Sequence, residues 1–331
     1  MVNDDHLLPG EVAEEYEGAL LPQEQLADAA AELAEEALAP ATRVAYRADW
    51  NRWVRWCRVR GFDPLGTSGP LALYIAELVE QGKKVPTIDR ALSAISLAYR
   101  LHDKPNPRQD PAVSAVFKGA RRKIGIAPEQ MTAILPTQLQ RMVEGLPQTV
   151  HERLRSSRNR AALVLGFCGG FRRSELLTLD VRDVAEVPEG LKIFIRRSKT
   201  DQEGRGRWIG LPYASVHSVC PVRAYKEWLA TAGIESGAIF RTISKDGLTV
   251  LDTRLSERQF ADVVKSSAQR VGLVGKYAGH SLRAGLVTAA MAAKKNPKSI
   301  MAQTGHRTMD ILLRYVREQG LFDDNPAAGL L

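Results

Sequence analysis

With 331 residues, 44% of them hydrophobic and 25% charged, the chain has enough apolar material for two domains with separate cores, which excludes a disordered polyelectrolyte. It contains no run of about eighteen apolar residues, and it begins acidic where an export signal needs a basic start before an apolar stretch, so a cytoplasmic protein with no membrane partner is expected. The net charge of +8 is lopsided: residues 1–40 hold eleven Asp and Glu and no Lys or Arg, leaving 46 basic against 27 acidic residues over 41–331, a surplus that attracts a polyanion.

Residues 1–40 are rich in Ala, Glu and Leu, with Leu26 and Leu33 one heptad apart, and read as an amphipathic helix ending near Pro40. This acidic N-terminal arm is either a solvated tail or a strap that touches the basic surface or a neighbouring subunit. From 41 to 126 the pattern is helical. Tyr46, Trp50, Trp53 and Cys57 recur as an apolar stripe, while Arg43, Arg47, Arg55 and Arg58 fall largely off it. Gly61 and Pro64 stop that helix, and three more are predicted over 70–80, 86–101 and 111–123, each opening on a proline. A linker is expected over 127–136, in a stretch of Gly and Pro breakers, and a second domain over 137–331.

That second domain reads as helical apart from two strands, 191–197 and 205–212, joined by the turn-forming Ser-Lys-Thr-Asp-Gln-Glu-Gly, with Lys199 near the tip. Helices are predicted over 221–232, 255–271, 280–293, 297–304 and 308–316. The expected fold class is mainly α with a small β-sheet, in two domains. Cys57, Cys168 and Cys220 lie far apart with no CxxC pair, so they read as small core residues and not as a zinc site or disulfide framework.

Three clusters could carry chemistry. In Gly-Gly-Phe-Arg-Arg-Ser-Glu-Leu, residues 169–176, glycines let the backbone approach closely and Arg172 can fork two N–H groups onto a phosphate; a plain surface arginine at a helix start is the alternative. Gly-His-Ser-Leu-Arg places His280 at a helix start and Arg283 one turn later, which suits an anion, although His280 could merely cap the helix. In Thr-Gly-His-Arg-Thr-Met-Asp-Ile-Leu-Leu-Arg-Tyr, His306 precedes a short helix carrying Tyr315, which shares the apolar side of Ile311 and Leu312 and taken alone reads as a core tyrosine.

Taken in order, arginine after Gly-Gly-Phe, lysine on a hairpin, His-x-x-Arg, Gly-His and a tyrosine nine residues later form a pattern that resembles the tyrosine recombinase or phage integrase family over nearly all of 41–331. The resemblance implies that Arg172, Lys199, His280, Arg283, His306 and Tyr315 are catalytic and that Glu175 supports them. It also implies that 41–126 is a core-binding (SAM-like) domain which, with the catalytic domain, clamps duplex DNA. Arg43, Arg47, Arg121, Arg122 and Lys123 are then the expected DNA contacts.

The implied activity is site-specific recombination through a covalent 3′-phosphotyrosine and a Holliday junction, without metal, ATP or other cofactor. Four protomers would act on two duplexes, a dimer per site, in the cytoplasm at the nucleoid. The apolar tail, 316–331, either docks on the next subunit or folds back on its own domain. Two rivals share parts of the pattern: a type IB topoisomerase-like strand relaxase, and a DNA-binding relative without catalysis. A metal nuclease is disfavoured, because His280 and His306 have no clustered carboxylates or cysteines beside them.

Overall fold

The computed structural model describes residues 38–125, 131–196, 198, 201 and 204–313. The arm 1–37, Lys199, Tyr315 and the tail 316–331 lie outside the described residues. The chain divides between residues 128 and 129 into two compact units.

The first unit is helical: α1 (Pro40–Val59), α2 (Gly69–Glu80), α3 (Val85–Leu101) and α4 (Pro111–Ile124). A proline sits at the first or second position of all four, where its missing N–H is one the helix could not have paired anyway. Asp110 caps α4, its carboxylate accepting from the Ala112 and Val113 N–H groups.

The core gathers Trp53, Trp56 and Cys57 of α1 with Tyr74 and Ile75 of α2 and Ile88, Leu92 and Ile95 of α3. The Trp53 and Trp56 rings stack with centroids 5.3 Å apart. The buried face of α1 is thus rotated from the expected stripe: Trp56 replaces Tyr46, and Asp49 is wholly buried on the same side. Arg90 and Arg52 donate to the Asp49 carboxylate at 2.7 and 2.9 Å, which is what makes a buried charge tolerable there.

The second unit contains α5 (Pro136–Glu144), α6 (Arg153–Cys168), α7 (Arg173–Leu177), β1 (Val184–Val187), β2 (Gly190–Ile195), β3 (Arg207–Pro212), α8 (Pro221–Ala232), β4 (Arg241–Ile243), β5 (Val250–Arg254), α9 (Glu257–Arg270), α10 (Gly279–Ala292), α11 (Pro297–Thr304) and α12 (Met309–Leu313). In α6 the run from Ala161 to Leu165 is fully buried, so this helix is the axis of the unit, packed by α8 and α10.

Strands β1, β2 and β3 form an antiparallel meander in which Leu191 pairs Leu211 and Ile193 pairs Ile209. Those four face the core, while Lys192 and Trp208 alternate outward. Cys57 and Cys220 are buried and Cys168 is half-buried. Burial pushes the Cys57 thiol up to about 11 and Cys168 up to about 12.

Three local features differ from the sequence expectation. The sequence gives no sign of β1 or of the β4–β5 hairpin, because strands of three to five residues are too short to show alternation. The predicted pair of strands is shorter than expected, ending at Ile195 and resuming at Arg207. The stretch expected as linker is partly built into the second unit: Thr132 and Ile134 donate backbone N–H groups to the Lys276 and Ser281 carbonyls, and Ile134 is fully buried.

Candidate active site

Arg172 stands at the mouth of α7, in extended backbone as that helix's N-cap. Glu175, three residues on, turns back so that its Oε2 accepts the Arg172 N–H at 2.9 Å, while its Oε1 accepts from Arg172 Nη1 at 2.6 Å. The guanidinium is thereby held by its own helix, and Arg172 Nη2 reaches the Gly305 carbonyl at 3.3 Å. Only two of its five N–H groups are used in these contacts with Glu175 and Gly305.

Glu175 is almost wholly buried, and Arg207 at the start of β3 also donates to it, Nη2 to Oε2 at 3.2 Å. Burial pushes its carboxyl up, but the Arg207 charge, the Arg172 N–H and the Arg172 charge outweigh that and hold it below the usual carboxylate range. Glu175 is ionised and shared between two arginines.

α10 carries His280 in its first turn and Arg283 three residues later. Arg283 is almost completely buried, and its Nη1 donates to the Gly170 carbonyl at 2.8 Å and to the Thr304 carbonyl. Arg172 and Arg283 therefore bind consecutive carbonyls, those of Gly305 and Thr304. His306 follows in the same turn, half-buried, with Nδ1 at 2.8 Å from the Thr304 hydroxyl. Gln303 ties this turn to its surroundings by donating to the Cys168 and Gly210 carbonyls.

Arg172, Arg207 and Arg283 against Glu175 leave a local surplus of two positive charges, suited to a phosphodiester. Both histidines feel it. Desolvation, then Arg283 and Arg172, hold the His280 imidazole below its ordinary value. Burial, then Arg283, Arg172, His280 and Arg207, push His306 down to about 3. Both imidazoles therefore hold a proton less readily than a free one.

Of the residues singled out from sequence, Arg172, Glu175, His280, Arg283 and His306 are brought together, and Lys199 and Tyr315 lie outside the described residues. Two residues beyond Lys199 in the chain, Asp201 accepts the Arg205 and Gly206 N–H groups at 3.1 and 2.7 Å. Arg47, Arg121, Arg122 and Lys123 are exposed on the first unit, Lys123 in an ion pair with Glu80, and Arg43 is half-buried.

Sequence reasoning did not single out Arg207 as a site residue. Its signal was available, since Arg207 shares the inward register of Ile209 and Leu211, an odd place for a charge without a partner. Its Nε is buried and makes no hydrogen bond among the described residues. Among the described residues no group of three or more His, Cys, Asp or Glu is placed to hold a metal ion, and no helix is long and apolar enough to cross a membrane.

The profile of the phage integrase family matches residues 134–320. The integrase/recombinase xerD homolog of Selenomonas ruminantium is 36% identical over 299 residues, covering 88% of this chain and 85% of that protein. Two solved structures share the fold at 16% identity and a TM-score of 0.59. One is the Tn1549 transposon integrase in complex with transposon right end DNA, which covers 84% of this chain and 89% of its own. The other is a lambda integrase dimer bound to a COC′ core site, covering 90% of this chain and 95% of its own. The chain belongs to the phage integrase family, the tyrosine site-specific recombinases.

Proposed function

We propose that this chain recombines duplex DNA at specific sites, with Tyr315 as nucleophile. The phenol oxygen attacks a backbone phosphorus, the bond to the 5′-oxygen breaks, and a 3′-phosphotyrosyl ester forms. The phenol proton passes to His280, and Lys199 protonates the departing 5′-oxygen as general acid. A 5′-hydroxyl from a second strand reverses the step, which passes through a Holliday junction and requires no ATP because the ester retains the bond energy.

A phenol with a reference pKa of about 10 is a weak nucleophile at neutral pH, so the charge gathering on the phosphoryl oxygens must be stabilised. The observation that carries the proposal is the anchoring of Arg172 and Arg283 on the adjacent carbonyls of Gly305 and Thr304, with His306 in the same turn. Guanidinium groups fixed in this way stabilise charge without reorganising as the reaction proceeds. Glu175 and Arg207 hold that arrangement from below.

In this reading the helical unit and the catalytic unit together grip a duplex recombination site, two protomers per site and four per pair of duplexes, in the cytoplasm at the nucleoid. Arg43, Arg47, Arg121, Arg122 and Lys123 supply backbone contacts. Incubation with a nicked suicide duplex should trap protein on DNA in the presence of a chelator. Tyr315→Phe should abolish the adduct while leaving binding intact. Adducts formed by the Phe variant, or cleavage that disappears on chelation, would overturn the assignment.

A further inference from the structure

Thr304 links two of the side chains just assigned. It closes α11 wholly buried, its carbonyl accepts from Arg283, and its hydroxyl lies 2.6 Å from the Ile300 carbonyl and 2.8 Å from His306 Nδ1. A hydroxyl has one proton to donate, and a carbonyl can only accept. At 2.6 Å the proton must point at Ile300, the usual back-bond of a helical threonine to the residue four before it. The oxygen then offers His306 a lone pair, so Nδ1 must carry the hydrogen. The opposite assignment would press two lone pairs together at Ile300.

We infer that Thr304 is a positioning residue that locks His306 in its Nδ1–H tautomer, making Nε2 the nitrogen that takes up a proton when a phosphodiester binds and releases it when the phosphodiester leaves. The inference deepens the proposed recombinase chemistry and rests on His306 acting in it. Burial and the charges of Arg283, Arg172, His280 and Arg207 push His306 down to about 3, and with the hydrogen on Nδ1 its basic nitrogen is Nε2. A phosphodiester brings a negative charge that offsets the guanidinium field. Nε2 then takes a proton from solvent and becomes a hydrogen-bond donor to the phosphoryl oxygen. Arg283 and His306 are registered to one another because one threonine holds both.

The test uses the full chain with 15N-labelled histidine, His306 being identified by the signal that His306→Gln removes. Long-range 1H–15N correlation at neutral pH should show the Nδ1–H pattern in the wild type and in Thr304→Ser. Thr304→Val keeps the side-chain shape but not the hydroxyl, and should release the ring to the Nε2–H form. On the nicked duplex the Val variant should form adduct at least about tenfold more slowly and Ser within about threefold of wild type, with DNA affinity unchanged in both. An Nε2–H ring in the wild type overturns the inference, as does a Val variant with wild-type cleavage rate. If Thr304→Val does not fold, the wild-type and Ser spectra still decide. A wild type that forms no adduct defeats the recombinase reading instead, while the spectra report on the tautomer independently.

Discussion

Glu175 shows how one carboxylate organises several cations. It is buried, accepts from the Arg172 backbone and side chain, and also binds Arg207. Its folded-state pKa lies below the unfolded value, so protons bind the unfolded chain more readily as pH falls. The stabilisation is complete above the unfolded carboxyl pKa of about 4.3 and is lost as pH drops through the folded value. Glu175→Gln leaves two guanidiniums short of a counter-charge and should cost about 3 kcal/mol at pH 7 in denaturant titration. That difference should shrink on acidification below about pH 4.3; a difference unchanged down to pH 3 would count against an ionised Glu175. This residue was legible in sequence as a supporting acid one turn after Arg172. Its second partner was not, because Arg207 lies 32 positions away and meets it only when β3 packs beside α7.

The Thr304–Gly305–His306 turn works because Gly305 adopts φ of +69°, and a β-carbon there would sit 2.9 Å from the Arg207 Cζ. Gly305→Ala therefore combines backbone strain of about 1–2 kcal/mol with displacement of a guanidinium from Glu175. We expect a lowered Tm together with a loss of adduct formation of about tenfold or more. Gly233, at the end of α8 with φ of +62° and open space around it, is the control: Gly233→Ala should lower Tm by the backbone strain alone and leave cleavage unchanged. Equal cleavage in both variants would show that the approach of Arg207 does not matter. Helices such as α8 and α11 were readable to their bounds, since proline opens each and a left-handed glycine closes each. β1, β4 and β5 were not, since their identity depends on neighbouring strands and not on their own pattern.

Each unit has a main core of its own, one rich in stacked aromatics and one built around α6. The basic surplus over 41–331 predicts DNA binding that weakens steeply with salt. Arg121 and Arg122 are exposed at the end of α4. If both contact phosphates, Arg121→Ala/Arg122→Ala should make the plot of log affinity against log salt shallower by roughly 1.8, about 0.9 per contact. An unchanged slope would remove them from the interface.

The identities and order of Arg172, His280, Arg283 and His306, the helices with their proline starts, and the family pattern are written in the chain itself, because each depends on residue type and short-range spacing. Burial of Glu175, the inward turn of Arg207, the double role of Thr304 and the lowered pKa of both histidines emerge only on folding. A proton's position and a carboxylate's charge depend on groups that become neighbours when α6, β3, α10 and α11 pack, and no local spacing records those distances.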